Sequence, residues 1–182
     1  MEAMTKADAG DLARAVDSAA AGDDVAFARI VAAHHGEMVR ICHMVARDRT
    51  IAEEAAQAAW SIAWKKLGTL KEPDRLRPWL ITVTINEAKK LLKKRRRRSE
   101  VEVIGEPVEQ SGGVDPATGV EYIDLQRAME RLDPDDRALL ALRYVAGFDA
   151  TELALAIGLS PSGTRTRLER LLKRLRQDLS HG

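Results

Sequence analysis

The apolar positions of this chain recur at three- and four-residue spacing almost throughout, the period of helices that bury one face. Residues 1–22 predict a short Ala-rich helix around Leu12 to Ala21. Asp23 or Asp24 then caps a stretch in which Val25, Phe27, Ile30 and Val31 are apolar, and Met38, Val39, Ile41, Cys42 and Val45 continue the pattern to Arg47, with Gly36 expected to mark a break or a close approach. After a short turn, residues 51–67 predict a helix with Ala55, Ala56, Ala59, Ile62, Ala63 and Leu67 inside. Glu53, Glu54 and Gln57 share another of its faces, and acids in its first turn suit the helix dipole. Trp60 and Trp64, four apart, fall on one stripe. Residues 68–76 read as a loop by their Gly and Pro. The next helix is expected from about Arg77 to Arg98. Its Thr82-Val83-Thr84-Ile85 run is β-branched and favours a strand, but Leu80, Ala88, Leu91 and Leu92 keep helical spacing around it.

Residues 99–119 break every period. Gly105, Pro107, Gly112, Gly113, Pro116 and Gly119 among scattered acids predict a flexible linker. Val120 to Leu132 then predicts a helix, and Asp133-Pro134 starts another that runs through Leu139, Leu140, Leu142 and Val145 to Gly147. Asp149 or Thr151 caps a short helix with Leu153, Ala154 and Ile157 on one face. Gly158 permits the left-handed turn that ends it. Ser160 caps a last helix, with Pro161 at the first position, where no amide donor is needed. Leu168, Leu171, Leu172, Leu175 and Leu179 form its apolar stripe. The opposite face carries Ser162, Gly163, Thr166, Arg170 and Lys173, flanked by Arg165 and Arg167. Small residues at a helix start let it enter a groove, and basic residues behind meet phosphates. These features predict a helix-turn-helix; the plainer alternative is an amphipathic hairpin with a solvated basic face.

Charge adds a second contact. The formal net charge of the 182 residues is only +1, but it is segregated. Residues 65–98 hold thirteen bases and three acids, 99–119 hold five acids and no base, and 161–182 hold six bases and two acids. Two basic segments split by an acidic one predict two nucleic-acid contacts on a tether. The fold class expected is all-α, with two small helical domains joined by an acidic flexible linker. The boundaries are an N-terminal extension over 1–23, a first domain over 24–98, the linker over 99–119 and a second domain over 120–182.

Other chemistries find little support. Cys42 is the single cysteine, so no internal disulfide framework exists and a reducing cytoplasm is the expected location. No apolar run approaches the roughly 20 residues of a membrane span, so no membrane insertion is expected. His34, His35, Cys42 and His43 are close in sequence, but no second cysteine or paired-His spacing completes a zinc site. Asp133, Asp135 and Asp136 read as cap and surface residues. With no phosphate-binding Gly loop or nucleophile motif, neither an enzyme nor a cofactor is expected.

The ordered set of elements resembles bacterial RNA polymerase sigma factors of the extracytoplasmic-function type, from about Ala26 to Leu179. The string LDPDDRALLALRYVAGFDATELALAIGLSPSGTRTRLERLLKRLR (132–176) looks like the family's fourth region. AEEAAQAAWSIAW (52–64) resembles its helix that docks on core RNA polymerase, and RPWLITVTINEAKKLLKKRRRR (77–98) resembles its helix that reads and melts the −10 promoter element. The resemblance implies that Glu53, Glu54 and Gln57 face the polymerase clamp helices. It implies −35 contacts by Ser162, Gly163, Arg165, Thr166, Arg167, Arg170 and Lys173, and −10 contacts by Lys71, Arg75, Arg77, Trp79, Asn86, Lys89 and Lys90. The loop from Gly68 to Leu76 takes the place of one that captures a flipped base. The acidic linker resembles the segment that threads the polymerase cleft. Core RNA polymerase, promoter DNA and an anti-sigma factor are the partners it implies. The chain departs from the pattern at Ala58, where an acid often follows the Gln. Ile81, Thr82 and Ile85 stand where the −10 helix commonly carries an aromatic and two basic residues, and Thr164 replaces a usual Val. The alternatives are a stand-alone helix-turn-helix regulator and a degenerate sigma-like protein that sequesters a regulator.

Overall fold

The computed structural model describes residues 6–101 and 128–180, with side chains described over 10–98 and 128–179. The expected linker beyond Val101 and most of the expected helix over Val120–Leu132 lie outside the described residues. Among the described residues every regular element is helical, as the periodicity predicts. The first half holds α1 (Lys6–Ala20), α2 (Asp24–Ala46), α3 (Arg49–Lys66) and α4 (Leu76–Val101). The second holds α5 (Pro134–Leu140), α6 (Ala150–Ile157) and α7 (Pro161–Ser180).

Local chemistry sets most helix starts. The Asp23 carboxylate accepts from the amides of Val25 and Ala26, that of Asp48 from Ile51, and that of Asp133 from Asp136. Each answers a donor that the first turn leaves without a partner. Because Asp48 is the cap, α3 begins at Arg49 and has no acid in its first turn. Glu53 and Glu54 thus sit beyond the strongest field of the helix dipole, contrary to the expectation from sequence. Gly36 also departs from expectation. The helix α2 runs through it unbroken, and a Cβ there would meet nothing within 4 Å. The helix α4 runs through the β-branched run, and Thr82 and Thr84 turn their hydroxyls onto the carbonyls of Pro78 and Leu80 at 2.7 and 2.8 Å. It also continues past Arg98 to Val101, three residues into the expected linker.

The loop between α3 and α4 is ordered by two 3₁₀ turns, Leu67–Thr69 and Pro73–Arg75. After α5 the chain widens into a π turn, Ala141–Val145, closed by the Ala146 amide on the Ala141 carbonyl at 2.9 Å. Gly147 follows at φ +72°, which brings Phe148 back into the core at 1% exposure.

Three apolar clusters hold the molecule together. Val16 and Ala19 of α1 pack with Ala26, Ile30 and Met38 of α2, Ala59, Ala63 and Leu67 around α3, and Leu76 and Leu80 of α4. The 1–23 segment thus contributes core to the first domain. A small cluster joins Cys42, Ala46, Ile51, Ala52, Ala55 and Ala88, where α2, α3 and α4 meet. The largest spans both halves of the chain: Ile41 and Val45 of α2 and Ile81 and Ile85 of α4 share one core with Leu132, Leu139, Leu140, Leu142, Phe148, Leu153, Leu171 and Leu175. Arg137, 8% exposed, runs along this seam. Its Nε donates to the Val45 carbonyl at 2.8 Å and its Nη1 to the Leu132 carbonyl at 2.5 Å.

Candidate nucleic-acid interface

The helix-turn-helix is built as its sequence prescribes. The Asp149 side chain accepts from the amides of Thr151 and Glu152, while the Glu152 carboxylate accepts from the Asp149 amide, a reciprocal capping box. Helix α6 ends on Gly158 at φ +70°. Ser160 Oγ accepts from the Gly163 amide at 3.1 Å, and α7 begins at Pro161. A Cβ on Gly163 would stand 3.1 Å from Ser160 Oγ, so glycine there makes room for the cap. Leu171 and Leu175 turn inward. Ser162, Arg165, Thr166, Arg170 and Lys173 are exposed along the outer face and Gly163 is half-buried.

Arg167 does not share that freedom. Its Nε and Nη2 donate to Asp136 Oδ1 at 3.1 and 2.8 Å, and Arg174 Nη2 donates to Oδ2 at 2.5 Å. Asp136 is 7% exposed. A buried carboxylate needs partners, and the two arginines clamp α7 to the start of α5 through it. Sequence gave no sign of this, because Asp136 reads like one more acid of a helix cap.

Three of the five cations expected at the −10 element, Arg75, Arg77 and Lys89, lie at the seam between the two halves. Arg75 Nη1 meets Glu152 Oε1 at 3.2 Å, and Lys89 Nζ meets Asp135 Oδ1 at 2.7 Å. Arg77 holds Glu37 through Nε and Nη2 at 3.0 and 2.6 Å, and its Nη2 also donates to the Ala146 carbonyl at 2.9 Å. The Lys89 ammonium holds the Asp135 carboxyl below the ordinary carboxylate range. Lys90 pairs with Glu87 on its own helix at 2.6 Å. Lys71 and Asn86 are exposed, and Trp79 is half-buried. Ile81 and Ile85 are 2% and 3% exposed.

On α3, Glu54 and Gln57 are exposed and Glu53 is half-buried. Glu53 lies 3.7 Å from His35 Nε2 and 3.8 Å from Arg49 Nε. His35 Nδ1 accepts from the Trp60 indole at 3.2 Å. The two tryptophans both meet Phe27 of α2 edge-on, at 5.8 and 4.9 Å between ring centres. No group of three or more His, Cys, Asp or Glu among the described residues could hold a metal ion. Burial pushes the Cys42 thiol up to about 12, which keeps it protonated and inert.

Residues 30–98 match the family described as Sigma-70 region 2, and residues 122–175 match Sigma-70, region 4. These two regions cover more than half of the chain, in the family's order. The chain belongs to the sigma-70 family, in its extracytoplasmic-function branch. Its relatives agree. It is 32% identical over 88% of its length to the probable RNA polymerase sigma factor RfaY of Xanthomonas campestris, of which it spans 42%. It is 26% identical to the RNA polymerase sigma factor CarQ of Myxococcus xanthus, over 86% of this chain and 90% of that one. The fold is also that of the Bartonella quintana sigma factor RpoE, solved in complex with the anti-sigma factor NepR. That likeness has a TM-score of 0.69 at 21% identity and covers 85% of this chain and 96% of the other. CnrH, solved with the cytosolic domain of CnrY, gives a TM-score of 0.60 at 24% identity, over 92% and 93% of the two chains. In this sigma factor the region 2 match takes in α4 and its seam cations, and the region 4 match takes in the helix-turn-helix.

Proposed function

We propose that this chain binds core RNA polymerase and directs it to promoters, reading a −35 element with α7 and holding the −10 element open with α4 and the loop before it. The observation that carries this reading is the outer face of α7. Ser162, Gly163, Arg165, Thr166, Arg170 and Lys173 are presented at the start of a capped helix that follows a tight turn, which is how a recognition helix enters the major groove. Lys and Arg supply the salt-dependent phosphate contacts. The small residues let the helix approach base edges. In this reading Arg167 is a positioning residue that fixes α7 through Asp136.

Glu53, Glu54 and Gln57 dock the polymerase, with Glu53 oriented by His35 and Arg49. Polymerase supplies the chemistry, so no catalytic residue is assigned to this chain. Two modules on one chain raise specificity beyond that of a single short helix, because the second contact becomes intramolecular. An anti-sigma factor is a further partner in this reading, supported by the likeness to RpoE, which was solved with one. No helix among the described residues is long and apolar enough to cross a membrane, which accords with action in the cytoplasm. Run-off transcription with purified core polymerase tests the proposal. Promoter-dependent initiation is expected only when this chain is present. DNA binding without any effect on initiation would favour a stand-alone regulator instead.

A further inference from the structure

One stripe of α3 is braced by α2. Glu53, Gln57, Trp60 and Trp64 follow one another at four-, three- and four-residue spacing, so they share one side of the helix. Two side chains of α2 reach that stripe at Trp60. Phe27 meets the indole ring edge-on, with 5.8 Å between ring centres and 88° between the planes. The indole N–H donates to His35 Nδ1 at 3.2 Å. An indole nitrogen can only donate. The imidazole nitrogen that receives it is therefore bare, and the proton of the ring sits on Nε2. That second nitrogen is the one turned towards Glu53, 3.7 Å from Oε2. Trp60 lies about two helical turns beyond Glu53 on α3, and His35 spans the interval from α2.

We propose that Trp60 and His35 are positioning residues for the polymerase contact of Glu53: the indole fixes the tautomer of His35, and the Nε2–H so placed holds the carboxylate in its docking orientation. The docking role of Glu53 rests on the function proposed above. Two groups flank that carboxylate. Arg49 Nε lies 3.8 Å from Oε1, but the Arg49 side chain is 86% exposed, so water and salt screen it and ordering its long stem costs entropy. His35 is half-buried and tethered at its far nitrogen, so it is the partner with a fixed geometry. A movement of roughly 1 Å brings its Nε2–H to hydrogen-bond length from the carboxylate. A neutral ring also leaves the negative charge of Glu53 whole for a cation on the polymerase to meet. An ammonium or guanidinium in its place would cancel that charge. The docking site is thus a product of the packing of α2 on α3, and Trp60 acts on it through an indole that need not touch the partner.

The test uses the full chain and purified core RNA polymerase. Asparagine sets its amide oxygen near the place of the imidazole Nδ1, and glutamine sets its amide nitrogen near that of Nε2. His35→Asn thus keeps an acceptor for Trp60 but loses the donor to Glu53, whereas His35→Gln keeps that donor. His35→Asn is expected to weaken polymerase binding about 3- to 10-fold, the scale of one hydrogen bond, and His35→Gln to restore most of the loss. In a Glu53→Ala background His35→Asn should change the affinity by less than about 2-fold, because the group it positions is gone. Nitrogen resonances of the His35 ring, measured by NMR at mildly alkaline pH without polymerase, should show the Nε2–H tautomer in the unaltered chain. Trp60→Phe keeps an aromatic ring for Phe27 to meet but removes the donor, and should give a mixture of tautomers. An Nδ1–H tautomer in the unaltered chain overturns the proposal, as does an equal loss of affinity from His35→Asn with and without Glu53. Glu53→Ala alone separates the two ideas. If it leaves polymerase affinity unchanged, the docking role of Glu53 fails and the positioning role falls with it. If it weakens binding while His35→Asn does not, the positioning role alone fails.

Discussion

Thr164 and Thr84 form a natural experiment in the cost of burying a hydroxyl. Thr164 is 2% exposed and Thr84 is 1% exposed. Both lie on helices, so exchanging either for valine keeps the β-branched shape and changes helix propensity little. The Thr84 hydroxyl donates to the Leu80 carbonyl at 2.8 Å. Thr164 Oγ1 has no partner, and it is the one such buried side-chain atom among the described residues. A buried polar group left unsatisfied costs about 1–3 kcal/mol, whereas a made hydrogen bond contributes about 0.5–1.5 kcal/mol net. Thr164→Val should therefore stabilise the chain by roughly 1–2 kcal/mol, and Thr84→Val should destabilise it by about 1 kcal/mol. For a chain of this size each kcal/mol moves the melting midpoint by about 2–4 °C. The assay is thermal melting of the full chain alongside urea titration, with an unchanged urea slope confirming that stability alone has moved. The reasoning fails if Thr164→Val lowers the midpoint, or if the two variants shift it in the same direction.

Three further predictions rest on the site. Arg165→Ala should reduce the slope of log affinity for promoter DNA against log salt by about 1 while leaving the melting midpoint in place. Arg167→Ala should instead lower stability by about 1–2 kcal/mol, because Asp136 loses one of its two guanidinium partners, with the half-exposed position of Arg167 moderating the cost; equal effects of the two variants on the salt slope would refute this division of labour. Cys42, with its thiol pushed up to about 12, should react with a thiol reagent at pH 8 only at the rate of unfolding, and rapid labelling in native buffer would show that it is accessible. His34 is held below its ordinary 6.5 by burial, with Arg77 adding to the effect and Glu37 opposing it. The folded chain then binds fewer protons at His34 than the unfolded chain, so stability falls as pH drops from about 6.5 towards the folded value. His34→Gln should flatten the urea midpoint between pH 7 and 5. The depressed carboxyls of Asp48 and Asp135 start from an ordinary 3.8, so their contribution is lost only at lower pH.

What could be read from sequence was what local chemistry decides. Ser160-Pro161 at the start of α7, Gly158 at the end of α6 and Asp133-Pro134 before α5 act within one turn of themselves, so their residue types suffice. The helical reading of Thr82 to Ile85 held because the flanking apolar period reports on burial, which outweighs the preference of β-branched residues for strands. The details that escaped depend on partners distant in sequence. Arg167 looks like its neighbour Arg165 until Asp136, 31 positions away, is brought beneath it. Phe27 gave no hint that it would meet both tryptophans of α3. Ile81 and Ile85 read as departures from a DNA-melting helix, because the domain that covers them is set by tertiary packing and not by their own spacing. The π turn after α5 was likewise invisible, since its extra residue has the same apolar pattern as an ordinary turn.

Arg137 ties the endings of two helical segments to one side chain. The last carbonyls of a helix lack an internal donor, and here the Val45 carbonyl near the end of α2 and the Leu132 carbonyl before α5 both receive theirs from one guanidinium. The Leu132 carbonyl finds its donor five residues along its own segment, but the Val45 carbonyl has one only when the second domain is in place. A lysine would keep the charge but could not reach both oxygens with a rigid fork. The free chain consequently melts as a single cooperative unit, with one calorimetric transition where two tethered domains would give two.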